Sequence, residues 1–190
     1  MNANDRRVKK TKKALQQALA KLMTQKELRN ITVQELADMA DVHRATFYTH
    51  YHDVYDLYEQ IENEILAGFE SLMEEDPVHT YEEFFGMMLH YIYQNAIFFR
   101  MLLGKNGENG FHSRIYTLIE ENYLEIWQLE RKQVEITEEM RYLAVYHIQG
   151  CMAIIVRWLE GDLTYPKGRL TELIIALDNS MDALVNRMHN

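Results

Sequence analysis

Residues 31–57 read ITVQELADMADVHRATFYTHYHDVYDL, and this stretch decides the fold. Thr32 and Glu35 stand at capping-box spacing, which predicts a helix beginning just after Thr32. Val33, Leu36, Ala37 and Ala40 recur at helical spacing and give that helix one apolar face. Phe47 and Tyr51 follow almost at once, four residues apart, so Ala40-Asp41-Val42 leaves room only for a tight turn. The second pattern, His43 to Tyr51, is otherwise polar and aromatic, unlike ordinary surface. Asp53 predicts an N-cap for a longer helix with Leu57, Tyr58, Ile61, Ile65, Phe69 and Leu72 on one side.

Two short helices joined so closely form the helix-turn-helix arrangement, whose second helix enters the major groove of DNA. The residues that carry a closer likeness are Ile31-Thr32, Leu36-Ala37, Val42, Thr46-Phe47-Tyr48, His50-Tyr51, Asp53 and Leu57. With an upstream helix carrying Leu15, Ala18, Leu19, Leu22 and Met23, the segment resembles the DNA-binding domain of the tetracycline-repressor (TetR) family of bacterial regulators. The resemblance implies that Thr32, Thr46, Tyr48 and His50 hold the DNA backbone. His43, Arg44 and Thr49 lie on or near the exposed face of the second helix, where Arg44 can reach a guanine. Three positions depart from the family pattern. Asp41 replaces a turn glycine, His43 a small hydroxyl residue, and Val54 a phosphate-binding lysine.

Charge is divided in the same sense. The whole chain of 190 residues carries −9, yet residues 1–52 carry +5 and the rest −14. Arg6, Arg7, Lys9, Lys10, Lys12 and Lys13 form a basic arm running into the first helix, suited to phosphate contact. The acidic remainder is repelled by phosphate, which leaves one face for DNA.

Beyond Asp53 the chain reads as helix after helix, with its two prolines, Pro77 and Pro166, at boundaries. Thr80-Tyr81-Glu82-Glu83 predicts a helix reaching about Leu103, and residues 104–110 a loop. Further helices are expected from Phe111 to about Gln133, from Thr137 to about Glu160, and from Tyr165-Pro166-Lys167-Gly168 through Leu184. The fold class is therefore all-α. A three-helix DNA-binding domain (residues 1–52) precedes a larger helical ligand-binding and dimerisation domain (53–190).

The last two helices carry Met140, Leu143, Ile148, Met152, Ile155, Leu159, then Leu170, Leu173, Ile174, Leu177, Met181 and Leu184. That is more apolar surface than one face needs, and the family resemblance implies a homodimer through a four-helix bundle. Two heads about 34 Å apart would read a palindromic double-stranded operator. The family also implies a small apolar or aromatic effector held in the middle helices, which are dense in aromatic residues and methionine. The candidate contacts are Met88, Tyr91, Phe98, Trp127, Tyr146 and His147.

Enzyme chemistry has no support in the pattern. His50 and His52 point apart on a helix, and no HExxH, CxxC or Gly-rich phosphate loop occurs, so no catalytic residue, metal or cofactor is expected. The single Cys151 excludes an intramolecular disulfide. The charged N-terminus does not read as a signal peptide, and no stretch approaches about 20 apolar residues, so a cytoplasmic protein without membrane contact is expected. The sequence thus points to a dimeric, ligand-responsive repressor. The alternative is a helical interaction protein of the same fold, controlled by a protein partner, that activates or has lost DNA binding.

Overall fold

The computed structural model describes residues 3–75, 80–130 and 135–188. Pro77 and Gln133 lie outside them, as does the side chain of Leu184. Among the described residues the fold is all-α and contains no strand. The helices are α1 (Ala3–Met23), α2 (Val33–Met39), α3 (Arg44–Tyr48), α4 (Val54–Glu75), α5 (Tyr81–Gln94), α6 (Ala96–Leu103), α7 (Asn109–Glu130), α8 (Glu138–Glu160) and α9 (Lys167–Met188).

Local signals set most helix starts. The Thr32 hydroxyl accepts from the Glu35 amide, while the Glu35 carboxylate accepts from the Thr32 amide, closing the expected capping box. Asp53 accepts from the Asp56 amide at the head of α4, and the Asp56 carboxylate accepts in return from the His52 amide. Thr80 and Thr137 accept from the amides of Glu83 and Met140. Two helix ends share another device. Asp41 and Asp162 adopt left-handed φ values of 54° and 53°. The amides of Val42 and Leu163 then reach back to the carbonyls of Ala37 and Trp158, forming Schellman closures. Aspartate tolerates this conformation better than most residues, so the turn without its glycine survives.

The chain packs as two compact units. The first comprises Met1–Ala67 and Ala96–Phe111. In it α1 packs on α6 and α2, and α2 on α3, around Leu15, Leu19, Leu36, Phe47, Leu57, Ile61, Phe99 and Phe111. The loop after α6 is pinned inside this unit. Asn106 donates to the Met23 carbonyl, and the Glu108 amide donates to the Tyr58 hydroxyl. A Cβ at Gly107 would fall 2.3 Å from the Leu102 carbonyl oxygen, so only glycine fits there.

The second unit comprises Gly68–Asn95 and His112–Asn190. Here α9 packs on α5 and α8. Its core includes Phe84, Phe85, Met88, Leu89, Trp127, Met152, Ile155 and Ile174.

Several expectations are corrected. The helix predicted to run from Tyr81 to about Leu103 breaks at Asn95, whose backbone and side-chain N–H groups both donate to the Tyr91 carbonyl. A short amide side chain competing for a helix carbonyl is a known way to stop a helix. The basic arm is itself helical, because α1 already begins at Ala3. A short 3-10 turn over Leu28–Asn30 has no counterpart in the sequence reading. Finally, α8 is long and apolar enough to cross a membrane by length and composition. One side of it is filled from within its own unit, with Met140, Ala144, Ile148, Met152 and Ile155 all buried.

Candidate nucleic-acid interface

The second helix of the motif is short, ending at Tyr48, with Thr49 as its C-cap. Phe47 is fully buried and sets the rotation of α3. His43, Arg44, Ala45, Tyr48 and Thr49 are consequently exposed, and Thr46 and His50 half-buried. His43 occupies the N-cap position but makes no side-chain capping bond, so its imidazole is not committed to the helix. The Thr49 hydroxyl donates to the Thr46 carbonyl at 2.7 Å. Arg44 Nη2 donates to the Tyr48 hydroxyl at 3.1 Å, and the guanidinium lies 5.5 Å from the Tyr48 ring centroid.

Behind this face Tyr51 packs on Phe47, with ring centroids 5.6 Å apart, and Lys12 of α1 lies over the Tyr51 ring. Burial pushes the Tyr51 hydroxyl up to about 12, with the Glu64 and Asp56 carboxylates adding to the shift. Val54 is buried in the first unit, as its apolar character demands. Thr32 is exposed at the head of α2, and Glu35 there is held down to about 2, first by the hydrogen bond from Lys26 and then by those from Thr32. A groove of about 630 Å³ separates α1 from the motif, lined by Arg7, Lys10 and Thr11 on one side and by Asp41, His43 and Thr46 on the other. The exposed residues of α3 and the basic side chains of α1 therefore belong to one packed unit.

The candidate effector residues fall in both units. Phe98 lies in the first unit, lining a groove with Val8, Lys12 and Glu64. Tyr146 is 72% exposed on α8. Within the second unit Met88 and Trp127 are buried, and Tyr91 packs over Phe69 and against the backbone at Gly68. His147 is buried beside Phe85 and Tyr123, and Tyr123 in turn contacts Trp127. Sequence reasoning missed the polar centre of this region. Asp178 of α9 is 3% exposed, and its Oδ1 accepts from the Tyr123 hydroxyl at 2.8 Å and lies 3.2 Å from His147 Nε2. An acidic residue in the middle of an amphipathic helix gives no signal that it faces inward. Cys151 Sγ lies 3.6 Å from the same imidazole nitrogen, and burial pushes its thiol up to about 12. Among the described residues no group of three or more His, Cys, Asp or Glu side chains could hold a metal ion.

Comparison with known proteins places this geometry. Residues 79–179, more than half of the chain, match the family described as the transcriptional regulator C-terminal region of TetR type. An HTH-type transcriptional regulator of Bacillus subtilis, YxbF, is 22% identical over 158 residues, covering 78% of this chain and 39% of its own length. The chain therefore spans well under half of that relative. The dihydroxyacetone kinase operon activator DhaS shares the fold at a TM-score of 0.60 and 18% identity, over 93% of this chain and 96% of its own. The TetR family regulator PfmR of Thermus thermophilus does so at 0.59 and 20%, over 88% and 96%. All three are named as regulators rather than enzymes. With its helix-turn-helix head and this C-terminal region, the chain belongs to the TetR family of transcriptional regulators.

Proposed function

We propose that the protein is a cytoplasmic repressor that binds a palindromic operator as a homodimer and releases it when a small apolar or aromatic effector binds. Residues 1–52 would read DNA and residues 53–190 would carry dimerisation and effector binding. The observation that carries the reading is the face of α3, where Arg44, Tyr48 and Thr49 are exposed around a fully buried Phe47, in the same unit as the basic side chains of α1. On this reading His43, Arg44 and Thr49 meet base edges. Thr32, Thr46, Tyr48 and His50 contact phosphate and fix register.

Dimerisation has its own support. Tyr142, Val145 and Tyr146 of α8 and Leu173 and Leu177 of α9 are exposed apolar residues on two helices that pack together. Clusters of this kind on a soluble chain mark interaction surfaces. Ile155, which the sequence also offered for the interface, is fully buried within the chain and drops out of this surface. For the effector, Met88, Tyr91, Trp127 and His147 remain as candidates within the second unit. An effector that lowers operator affinity must bind the non-DNA conformation more tightly, and operator must weaken effector binding by the same factor. An activator reading draws on DhaS, whose name records activation.

The test is selection of duplexes from a random library by the full chain, followed by gel shift at several salt concentrations. Enrichment of a two-fold symmetric site with half-sites about one helical turn or a multiple apart supports the reading. A protein that enriches no sequence would overturn it.

A further inference from the structure

We propose that Tyr48 acts as a positioning residue that aims Arg44 at its base pair, and so sets specificity at a position it does not itself read. The proposal rests on the DNA-reading role argued above for α3. Arg44 and Tyr48 stand four residues apart on one short helix, so their side chains share a face. Both are exposed, and the Arg44 guanidinium is held in two ways at once. One N–H donates to the Tyr48 hydroxyl at 3.1 Å, and the cationic plane lies 5.5 Å from the ring centroid.

Tyr48 is itself oriented from below. Its ring meets Phe47 edge-on, with centroids 5.5 Å apart and planes at 88°, and Phe47 is fully buried. Orientation therefore passes from the core to Phe47, from Phe47 to the Tyr48 ring, and from that ring to the guanidinium.

The consequence for recognition follows from the chemistry of the two groups. A guanidinium has five N–H donors in a rigid fork, and Tyr48 engages one of its nitrogens. The remaining donors stay available for the O6 and N7 acceptors of a guanine. A free arginine gives up side-chain rotamer freedom when it docks on a base edge, and a guanidinium already tethered gives up less. The hydroxyl accepts from Arg44 and keeps its own hydrogen to donate elsewhere, for instance to a phosphate. A phosphate contact alone would weaken binding to every sequence equally. An aiming contact changes preference at one base pair only, and only while Arg44 is present.

The experiment uses the full chain as wild type, Arg44→Ala, Tyr48→Phe and the double variant. Each is measured by competition on the duplex that the wild type selects and on its single-base-pair variants. Equal melting temperatures keep folding out of the comparison. The expected result is that Arg44→Ala flattens preference at one base pair per half-site. Tyr48→Phe should lower preference at that same pair by about two- to tenfold, the range of one modest hydrogen bond, and should change nothing further there in the Arg44→Ala background. Unchanged preference at that pair in Tyr48→Phe overturns the proposal, as does an equal loss whether or not Arg44 is present. Those outcomes leave α3 as the DNA reader. A wild-type chain that enriches no duplex removes the DNA-reading role itself and this inference with it.

Discussion

Asp178 and His147 face each other inside the second unit, with Oδ1 and Nε2 3.2 Å apart and both side chains 4% exposed. They tie α9 to α8, and the Tyr123 hydroxyl on the same oxygen brings in α7. Removing His147 leaves the buried Asp178 side chain with one polar partner fewer. His147→Leu should cost about 1–3 kcal/mol in urea unfolding, the usual penalty for taking a hydrogen-bonding partner from a buried polar group. Tyr123→Phe should cost less, about 0.5–1.5 kcal/mol, because only one hydroxyl donor is lost. An unfolding midpoint unmoved by either change would mean that the carboxylate is reached by solvent after all.

Leu177 and Ile155 should respond differently to the same charge. Leu177 is 40% exposed, whereas Ile155 is fully buried. On the dimer reading, Leu177→Glu yields a folded monomer in sedimentation with normal helix content. Ile155→Glu yields an unfolded or aggregated chain, since a carboxylate enters an apolar core. A Leu177→Glu protein with unchanged mass in solution would move the interface elsewhere.

The turn of the DNA-reading motif can be tuned through Asp41. Its φ of 54° suits glycine better than any side chain. Asp41→Gly should gain about 0.5–1 kcal/mol of stability, and Asp41→Val should lose about 1–2 kcal/mol. Thermal melts that rank the three chains in another order would show that the aspartate side chain contributes more than its backbone costs.

Tyr51 offers a complementary case. Its hydroxyl is buried and has no hydrogen-bond partner among the described residues. Tyr51→Phe keeps the ring against Phe47 and discards an unsatisfied polar group, so stability should hold or rise by about 1 kcal/mol. A clear loss in denaturant titration would reveal a water-mediated partner.

The head of α2 carries a pH dependence of known sign. Glu35 is held near 2, below its ordinary 4.5, by Lys26 and Thr32. A depressed carboxyl contributes stability that is present above the unfolded value and lost as pH falls from about 4.5 towards 2. Since the group is exposed, the effect should shrink in high salt. Thr32→Val should flatten this part of the acid-unfolding curve. An identical curve would assign acid unfolding to other carboxyls.

What the sequence revealed and what it hid divide along physical lines. Caps at Thr32, Asp53, Thr80 and Thr137 were readable because each is a bond within three or four residues. Phe47 inward and Arg44 outward followed from the same short-range periodicity. The break at Asn95 was hidden because apolar residues continue through it from Tyr81 to Leu103. In α8 both stripes are apolar, so periodicity could not say that Ile155 faces the core while Tyr146 faces outward. Nor could it foresee the burial of Asp178, which depends on partners 31 and 55 residues away in the chain.

The path of the chain has a practical consequence for recombination. It passes from the first unit to the second after Ala67, returns at Ala96, and leaves again after Phe111. Helix α6 therefore packs on α1 although nearly thirty residues of the other unit intervene before it. A recognition head cannot be exchanged between relatives by splicing at one junction, because a graft ending after α3 or within α4 sets a foreign α1 against the resident α6. A working chimera has to carry residues 96–111 with the head, as a second insert. Single-crossover shuffling within the family is thus biased against new pairings of head and sensor, while point changes on α3 alter reading without disturbing that packing.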